Sequence, residues 1–394
     1  MSRPRVKKSE PGRAPPHVRE IRAALLAHYA AYARDLPWRR TRDPYAIWVS
    51  EIMLQQTRVD TVLRYYDRFI AAFPDLASLA AADEDAVLAA WSGLGYYRRA
   101  RMLHAGVREV VASYGGSVPE NPEARRKLPG IGRYTAGAIG SIAFDLQEPL
   151  VDGNVARVFA RLFGIDTPIS RSDTQAQLWA LAEAMVQGSL PGALNQALME
   201  LGALTCTKAA PSCKRCPVAE HCVAKKTARV GELPVVLKKR PPVQRQLVAV
   251  IAQDAAAEQV LLVRAHAGLF AGLWNLPMRE SAAADQSRAA AKELLKELGV
   301  TARLSARPLG QLEHVLTHRH LHVQVWMAQV SKVPAASAEV RLQPYARLDK
   351  LGVSALTRKA LELSAPPSAA RSGVNAHATT RQSRQLSLSN LSNK

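Results

Sequence analysis

From His17 to Lys226 apolar residues recur three and four positions apart, the stripe of an amphipathic helix, and alternation at period two is scarce. The pattern predicts helices over His17–Arg34, Pro44–Phe73, Glu84–Trp91, Gly95–Ser113, Gly132–Phe144, Asn154–Phe163, Thr174–Gln187 and Gly192–Leu204. Asp83 stands where an N-cap belongs, as does Ser172 or Asp173 for a later helix. The pattern changes at Gly231, where GELPVVLKKRPP carries three prolines and a basic triplet, the make-up of an extended linker. Beyond it, the apolar runs Leu247–Ala252, Val260–Val263 and Leu321–Val330 read as strands. The alternation of Leu321, Val323, Val325 and Met327 has the period of a half-buried one. One helix, Gln286–Leu298, lies among them. The chain thus reads as mainly α, in two domains: an all-helical one over 17–228 and an α+β one over 245–363. A linker spans 229–244, and tails rich in basic and polar residues at 1–16 and 364–394 are expected to be disordered.

Charge narrows the class of partner. Lys and Arg number 53 against 33 Asp and Glu, a net charge of +20 in 394 residues. Such an excess suits a polyanion, because each neutralised phosphate releases counterions. Part of it sits in the tails, so charge alone does not decide. No apolar run approaches the roughly 20 residues of a membrane span. The basic, proline-containing first 16 residues lack the apolar stretch of a secretory signal. A cytoplasmic monomer, working at a bacterial nucleoid and away from membranes, is expected, with an organelle as the alternative location.

The four cysteines all fall within one segment, as Cys206-x6-Cys213-x2-Cys216-x5-Cys222. Clustering of this kind points to ligation of one centre rather than to disulfides. Zinc and an iron–sulfur cluster both use a Cys-x2-Cys bite. Zinc sites usually pair two short bites, and here one gap is that short, so the spacing leans towards iron and sulfur. With four thiolates no position is left for substrate, and the site reads as structural. Lys208, Lys214, Arg215, Lys225 and Lys226 crowd the loop, either to meet phosphates or simply as a solvated face.

Two further features carry chemistry. Leu128-Pro129-Gly130-Ile131-Gly132 joins two helical stretches, and the next helix begins near Arg133. Gly130 and Gly132 permit close backbone approach, and the free N–H groups of the new helix can hold a phosphate. An ordinary tight turn is the plainer alternative. The second feature is a pair of carboxyls. Glu51 has Ile47, Trp48, Leu54 and Gln55 as helical neighbours, so it is expected to be desolvated and to hold a proton near neutrality, with a glutamate at the edge of the apolar stripe pointing into water as the plainer alternative. Asp152 precedes a helix and reads either as a cap or as an ionised partner. One carboxyl that donates a proton and one that faces positive charge at a sugar suit cleavage of a glycosidic bond.

The motifs SEIMLQQT, GLGYY, LPGIGRYTAGAI and VDGNVARV, with the cysteine spacing, occur here in order over about residues 20–225. Together they resemble the adenine DNA glycosylases (MutY) of the helix–hairpin–helix superfamily, which includes endonuclease III. The resemblance implies a two-lobed helical glycosylase domain with one 4Fe-4S cluster on Cys206, Cys213, Cys216 and Cys222. It implies that double-stranded DNA holding adenine opposite 8-oxoguanine or guanine is the substrate, and it leaves room for other repair proteins as partners. Glu51 would protonate the adenine, Asp152 would stabilise the oxocarbenium ion, Asn154 would orient the acid and water, and Tyr134 would sit over the sugar. Gln56 and Tyr96 match positions that wedge into the base stack, and Gly130, Gly132 and Arg133 match the phosphate-binding hairpin. Endonuclease III has a lysine where Tyr134 stands, and a phenol forms no Schiff base, so base removal with little or no strand cleavage is expected. A bifunctional glycosylase/lyase and a silent DNA-binding scaffold are the rival readings.

More weakly, the region to about residue 360 resembles a Nudix domain through Gly272-Leu-Trp-Asn-Leu-Pro277 and the helix that follows. Lys292 and Lys296 replace an arginine and a carboxylate of the Nudix magnesium site, and Glu293 and Glu297 remain. A Nudix-like fold without hydrolase activity is expected. The resemblance assigns it recognition of 8-oxoguanine through a loop matching Leu316-Thr317-His318, with Thr317 and His318 as contacts. His314, His318, His320 and His322 read as a histidine-rich hairpin, with metal binding a minor alternative.

Overall fold

The computed structural model describes residues 16–237, 241–283, 285–337 and 339–364. Apart from Pro16 and Ser364, the expected tails lie outside the described residues, as does the basic triplet Lys238-Lys239-Arg240. Two compact units divide at Pro241–Pro242, with the segment Arg347–Val353 grouped with the first and the rest of the later chain with the second.

The first unit is helical: α1 (Val18–Tyr32), α2 (Pro44–Leu54), α3 (Val59–Ala72), α4 (Leu76–Ala81), α5 (Glu84–Ala90), α6 (Arg98–Ser113), α7 (Pro122–Lys127), α8 (Arg133–Phe144), α9 (Gly153–Leu162), α10 (Ser172–Val186), α11 (Pro191–Glu200) and α12 (Val223–Lys226). Helices α2–α6 make one lobe around Trp48, Phe69 and Trp91, with the Phe69 and Trp91 rings edge to face at 5.7 Å. Helix α1 makes a second lobe with α9–α12 around Ile21, Leu25, Phe159, Leu178 and Leu198. Helix α8 packs on both α2 and α11 and so joins the lobes. Close approach to α11 depends on a missing side chain: a Cβ on Gly192 of α11 would lie 2.4 Å from the Ser141 carbonyl oxygen of α8.

Several expected elements differ in detail. The run Pro44–Phe73 is two helices, broken where Gln56 adopts φ +57°. Periodicity missed the break because the apolar stripe continues across it. The helix expected from Gly95 starts at Arg98, after Gly95 and Tyr96, both at positive φ. Short helices α4 and α7 had no stripe long enough to detect. The run Gly192–Leu204 ends its α-helix at Glu200 and continues as a π turn, Leu201–Thr205. Asp83 precedes α5 without a side-chain cap, and Arg171, rather than Ser172 or Asp173, precedes α10. The Asp173 carboxylate instead pairs with Arg171.

The second unit is an eight-stranded mixed sheet. Its strands are β1 (Val243–Gln253), β2 (Gln259–Arg264), β3 (Trp274–Asn275), β4 (Met278–Glu280), β5 (Thr301–Leu304), β6 (Gly310–Val315), β7 (Arg319–Lys332) and β8 (Val340–Pro344). The main path runs β3-β2-β1-β7-β5, with β4 on β1, β6 on β7 and β8 on β2. Strand β1 begins inside the segment expected as linker, and it pairs in parallel with β7 from Val243↔Arg319 to Gln253↔Gln329. The continuous buried run Leu247–Ala252 is that of a central strand covered on both faces. Helix α13 (Ser287–Glu297) packs through Ala291, Leu294 and Leu295 against Val248, Val250 and Trp326, and α14 (Ala355–Glu362) packs on β1 and β6. No helix among the described residues is long and apolar enough to cross a membrane.

Candidate active site

Three helix ends and one helix middle surround a single cavity. Asp43 caps α2, its carboxylate accepting from the N–H groups of Tyr45 and Ala46. Glu51 lies two turns on, among Ile47, Trp48 and Ile52, and is 5% exposed. Tyr134 is the second residue of α8. Asp152 caps α9: Oδ1 accepts from Val155 N–H at 2.7 Å, and Oδ2 accepts from the Asn154 amide at 2.9 Å. Asp152 is therefore a helix cap and a cavity residue at once. The cavity, about 160 Å³, is lined by Glu51, Tyr134, Asp152, Asn154, Met199 and Glu200 among others. A dry cavity of about 150 Å³ admits a benzene ring, which sets the scale: room for an aromatic heterocycle.

The electrostatics differ across this cavity. Burial pushes Glu51 up to about 7, against the opposing pull of the Tyr134 hydroxyl, and the charge of Asp152 adds to the rise. The Tyr134 hydroxyl donates to Glu51 Oε2 at 2.7 Å, and burial beside two carboxyls holds that phenol far above its ordinary range. Burial also raises Asp152, but Val155, Asn154 and Arg157 favour its ionised form and restrain the rise. A third carboxylate, which sequence reasoning missed, is Glu200. Burial acts to raise it, yet hydrogen bonds from Arg34 and Arg39 outweigh burial and hold it at about 2. The missed signal was one acid on the apolar face of α11, and its arginine partners lie far away in sequence.

Two exposed loops flank the α2 end of this site. Gln56 and Tyr96 both hold positive φ, at +57° and +47°, an uncommon state for residues with side chains. Arg99 fastens both loops. Its guanidinium donates to the carbonyls of Ile52, Met53 and Gln55, to the Thr57 hydroxyl, and to the carbonyls of Leu94 and Gly95. It also lies over the rings of Trp91 and Tyr96. The carbonyls of Ile52, Met53 and Gln55 belong to the C-terminal end of α2, so Arg99 satisfies groups that a continuing helix would have bonded itself. This is the physical reason for the break after Leu54.

The turn between α7 and α8 has Gly130 at φ +78°, where an added Cβ would meet Met102 at 2.8 Å. Gly132 precedes α8 with no side-chain cap and is exposed, so the first N–H groups of α8 carry no side-chain acceptor. The Arg133 guanidinium lies 3.8 Å over the Trp179 ring.

The four cysteines are free thiols in one loop, and Cys206, Cys216 and Cys222 pack against the core of the α1 lobe. Burial pushes Cys216 up to about 11, and the charges of Cys206, Cys222 and Cys213 all act on it, as expected of converging sulfurs. Tetrahedral zinc, with Zn–S bonds of about 2.3 Å, needs its sulfurs roughly 3.8 Å apart. Among the described residues no three cysteine sulfurs lie within 4.8 Å of one another. Arg161 donates to Cys206 Sγ at 3.4 Å, and Arg157 donates to the Cys206 carbonyl at 2.8 Å.

In the sheet unit, the two carboxylates left on α13 face an arginine: Arg279 Nη1 lies 3.1 Å from both Glu293 Oε2 and Glu297 Oε1. Thr317 and His318 are exposed at the tip of the β6–β7 hairpin.

Comparison with known proteins bears on this geometry. Residues 49–184 match the HhH-GPD superfamily of base excision DNA repair proteins, and residues 247–363 match the NUDIX domain. Adenine DNA glycosylase of Mus musculus is 37% identical over 374 residues, covering 82% of this chain and 73% of its own. That of Homo sapiens is 37% identical over 364 residues, covering 78% and 67%. A solved thermostable thymine-DNA glycosylase is 31% identical, with a TM-score of 0.50 over 53% of this chain and 97% of its own. A helical glycosylase domain followed by a Nudix-like domain, with sequence shared along most of both, places this chain in the adenine DNA glycosylase family of base-excision repair enzymes.

Proposed function

We propose that the enzyme removes adenine mispaired with 8-oxoguanine or guanine from duplex DNA, and does so as a monofunctional glycosylase. The reading rests above all on one observation: Glu51 and Asp152 line the same cavity, with Glu51 held at about 7. At neutral pH a large share of Glu51 keeps its proton, which is what a general acid needs.

The mispaired adenine leaves the stack and enters the cavity, a step that is least costly at a mispair. Tyr134 occupies Glu51 Oε2, so Oε1 carries the proton to the adenine ring. The bond between C1′ and the base breaks, and its electron pair goes to the protonated base. Asp152, whose carboxylate form is favoured by the hydrogen bonds from Val155 and Asn154, faces the positive charge at C1′ and closes on it as a transient adduct. Water then attacks C1′ and displaces the Asp152 carboxylate with the electron pair of the adduct bond, its proton passes to Glu51 to restore the acid, and an abasic site remains. Gln56 and Tyr96, on loops fixed by Arg99, hold the strand open, while the hairpin at Gly130, Gly132 and Arg133 holds a backbone phosphate.

Strand cleavage needs an amine to trap the sugar. Tyr134 offers none, and the described cavity lining contains no lysine. The cysteine loop takes a 4Fe-4S cluster on Cys206, Cys213, Cys216 and Cys222, whose part is to fold that basic loop. The sheet domain reads 8-oxoguanine through Thr317 and His318. Arg279 pairs with Glu293 and Glu297, the two carboxylates of α13, and competes with magnesium there, which supports a reading without hydrolase activity. Bacterial cytoplasm, at the nucleoid, is the proposed location.

The test is to incubate the protein with duplexes carrying adenine opposite 8-oxoguanine and to look for abasic sites. Breaks that require alkali support the proposal. Breaks without alkali support a lyase, and absence of both supports a scaffold.

A further inference from the structure

The outer face of the β6–β7 hairpin gathers three metal-ligating side chains that the proposed reaction does not use. Strand alternation turns Leu321 and Val323 inwards, at 0% and 2% exposure, and so turns His320 and His322 outwards. Their rings stack with centroids 4.6 Å apart. Glu313 stands opposite His322 on β6. Its Oε2 lies 3.0 Å from His320 Nε2 and its Oε1 3.6 Å from His322 Nδ1. One ligand atom from each of the three residues falls within 4.8 Å of the others.

We propose that Glu313, His320 and His322 form a zinc site on the sheet domain, separate from the cysteine loop. Bonds of about 2.0–2.1 Å from tetrahedral zinc put neighbouring ligand atoms roughly 3.3 Å apart, and the Glu313 carboxylate already brings one oxygen to 3.0 Å from His320 and the other to 3.6 Å from His322, so a small rotation places one oxygen between the two rings. The tautomer of His322 is also suited. Its Nε2–H donates to Gln244 Oε1 at 2.8 Å, which leaves the Nδ1 lone pair directed to the Glu313 side. A metal-bound histidine commonly has its second nitrogen tied in this way. Two imidazoles and a carboxylate leave a fourth position for water, and the partial exposure of all three residues gives an ion access. The ion ties β6 to β7 just below Thr317 and His318. Its effect on lesion reading depends on the role proposed for that tip, whereas its binding does not.

The test uses the full chain with its cysteine centre loaded, dialysed against micromolar zinc and then analysed for metal. Wild type should hold one zinc per chain beyond the cysteine centre. Glu313→Gln, His320→Gln and His322→Gln should each weaken retention at least tenfold, and His314→Gln, on the opposite face of β6, should not. Amide exchange over residues 313–322 should slow with zinc in wild type and be unchanged by zinc in His320→Gln, which guards against variants that lose metal by misfolding. No extra zinc in wild type, or zinc that survives both His320→Gln and His322→Gln, overturns the site. Loss of adenine excision with zinc binding intact would count against the proposed reaction and leave the site standing.

Discussion

The Tyr134 hydroxyl donates to Glu51 Oε2 at 2.7 Å across the contact between α8 and α2. This bond sets the orientation of the acid and moderates its affinity for the proton.

Tyr134→Phe removes a donor that favours the Glu51 carboxylate. Glu51 should then hold its proton to higher pH, so the alkaline limb of the single-turnover rate profile should move upwards by about half a unit to a unit. The maximal rate should fall roughly tenfold as the acid loses its anchor. An unchanged profile would show that the bond does not act on the acid. Tyr134→Lys should form an adduct with abasic DNA that borohydride traps, whereas wild type should form none.

Glu51→Gln should bind mispaired DNA and leave the adenine in place. The same variant should report on stability. Glu51 titrates at about 7 when folded, above the ordinary 4.5, so the unfolded chain releases this proton first. Stability linked to it is fully present below about 4.5, falls as pH rises from there, and is lost once pH passes through about 7. The glutamine variant does not ionise, so it should gain on wild type by up to about 3 kcal/mol at pH 8.5 and by little at pH 4.5. Denaturant melts at the two pH values provide the check.

Arg99→Leu should release the loops of Gln56 and Tyr96. Losing the donor to several carbonyls should cost about 3 kcal/mol of stability. DNA affinity should fall more than the single-turnover rate at saturating DNA, because Glu51 keeps its own partner. Equal loss in both, or in neither, would mean that the clamp does not serve binding.

The cysteine loop should carry about four iron atoms per chain, with broad visible absorbance. Cys213→Ser should lower both and weaken DNA binding by releasing the basic loop. One zinc and no iron would overturn the cluster.

Nucleoside triphosphates with magnesium should show no hydrolysis by the sheet domain, because Arg279 pairs with both remaining carboxylates of α13 and competes with the ion for them. Turnover above background would show that the arginine yields to the ion.

Much of this protein was legible along the chain because its signals are local. Helical periodicity and period-two alternation separated the helical and sheet units, and Trp48, Ile47 and Leu54 around Glu51 foretold a desolvated acid. The cap role of Asp152 was readable from its place before α9. What only the tertiary structure decided involves groups distant in sequence: the meeting of α2, α8 and α9 at one cavity, the hold of Arg34 and Arg39 on Glu200, and the reach of Arg99 to two loops. It also decided the break after Leu54, where Gln56 turns to positive φ and a guanidinium distant in sequence takes the freed carbonyls. Periodicity records which face of a helix is buried. It does not record which side chain arrives from elsewhere to satisfy a buried charge or an orphaned carbonyl, and those arrivals shape the site.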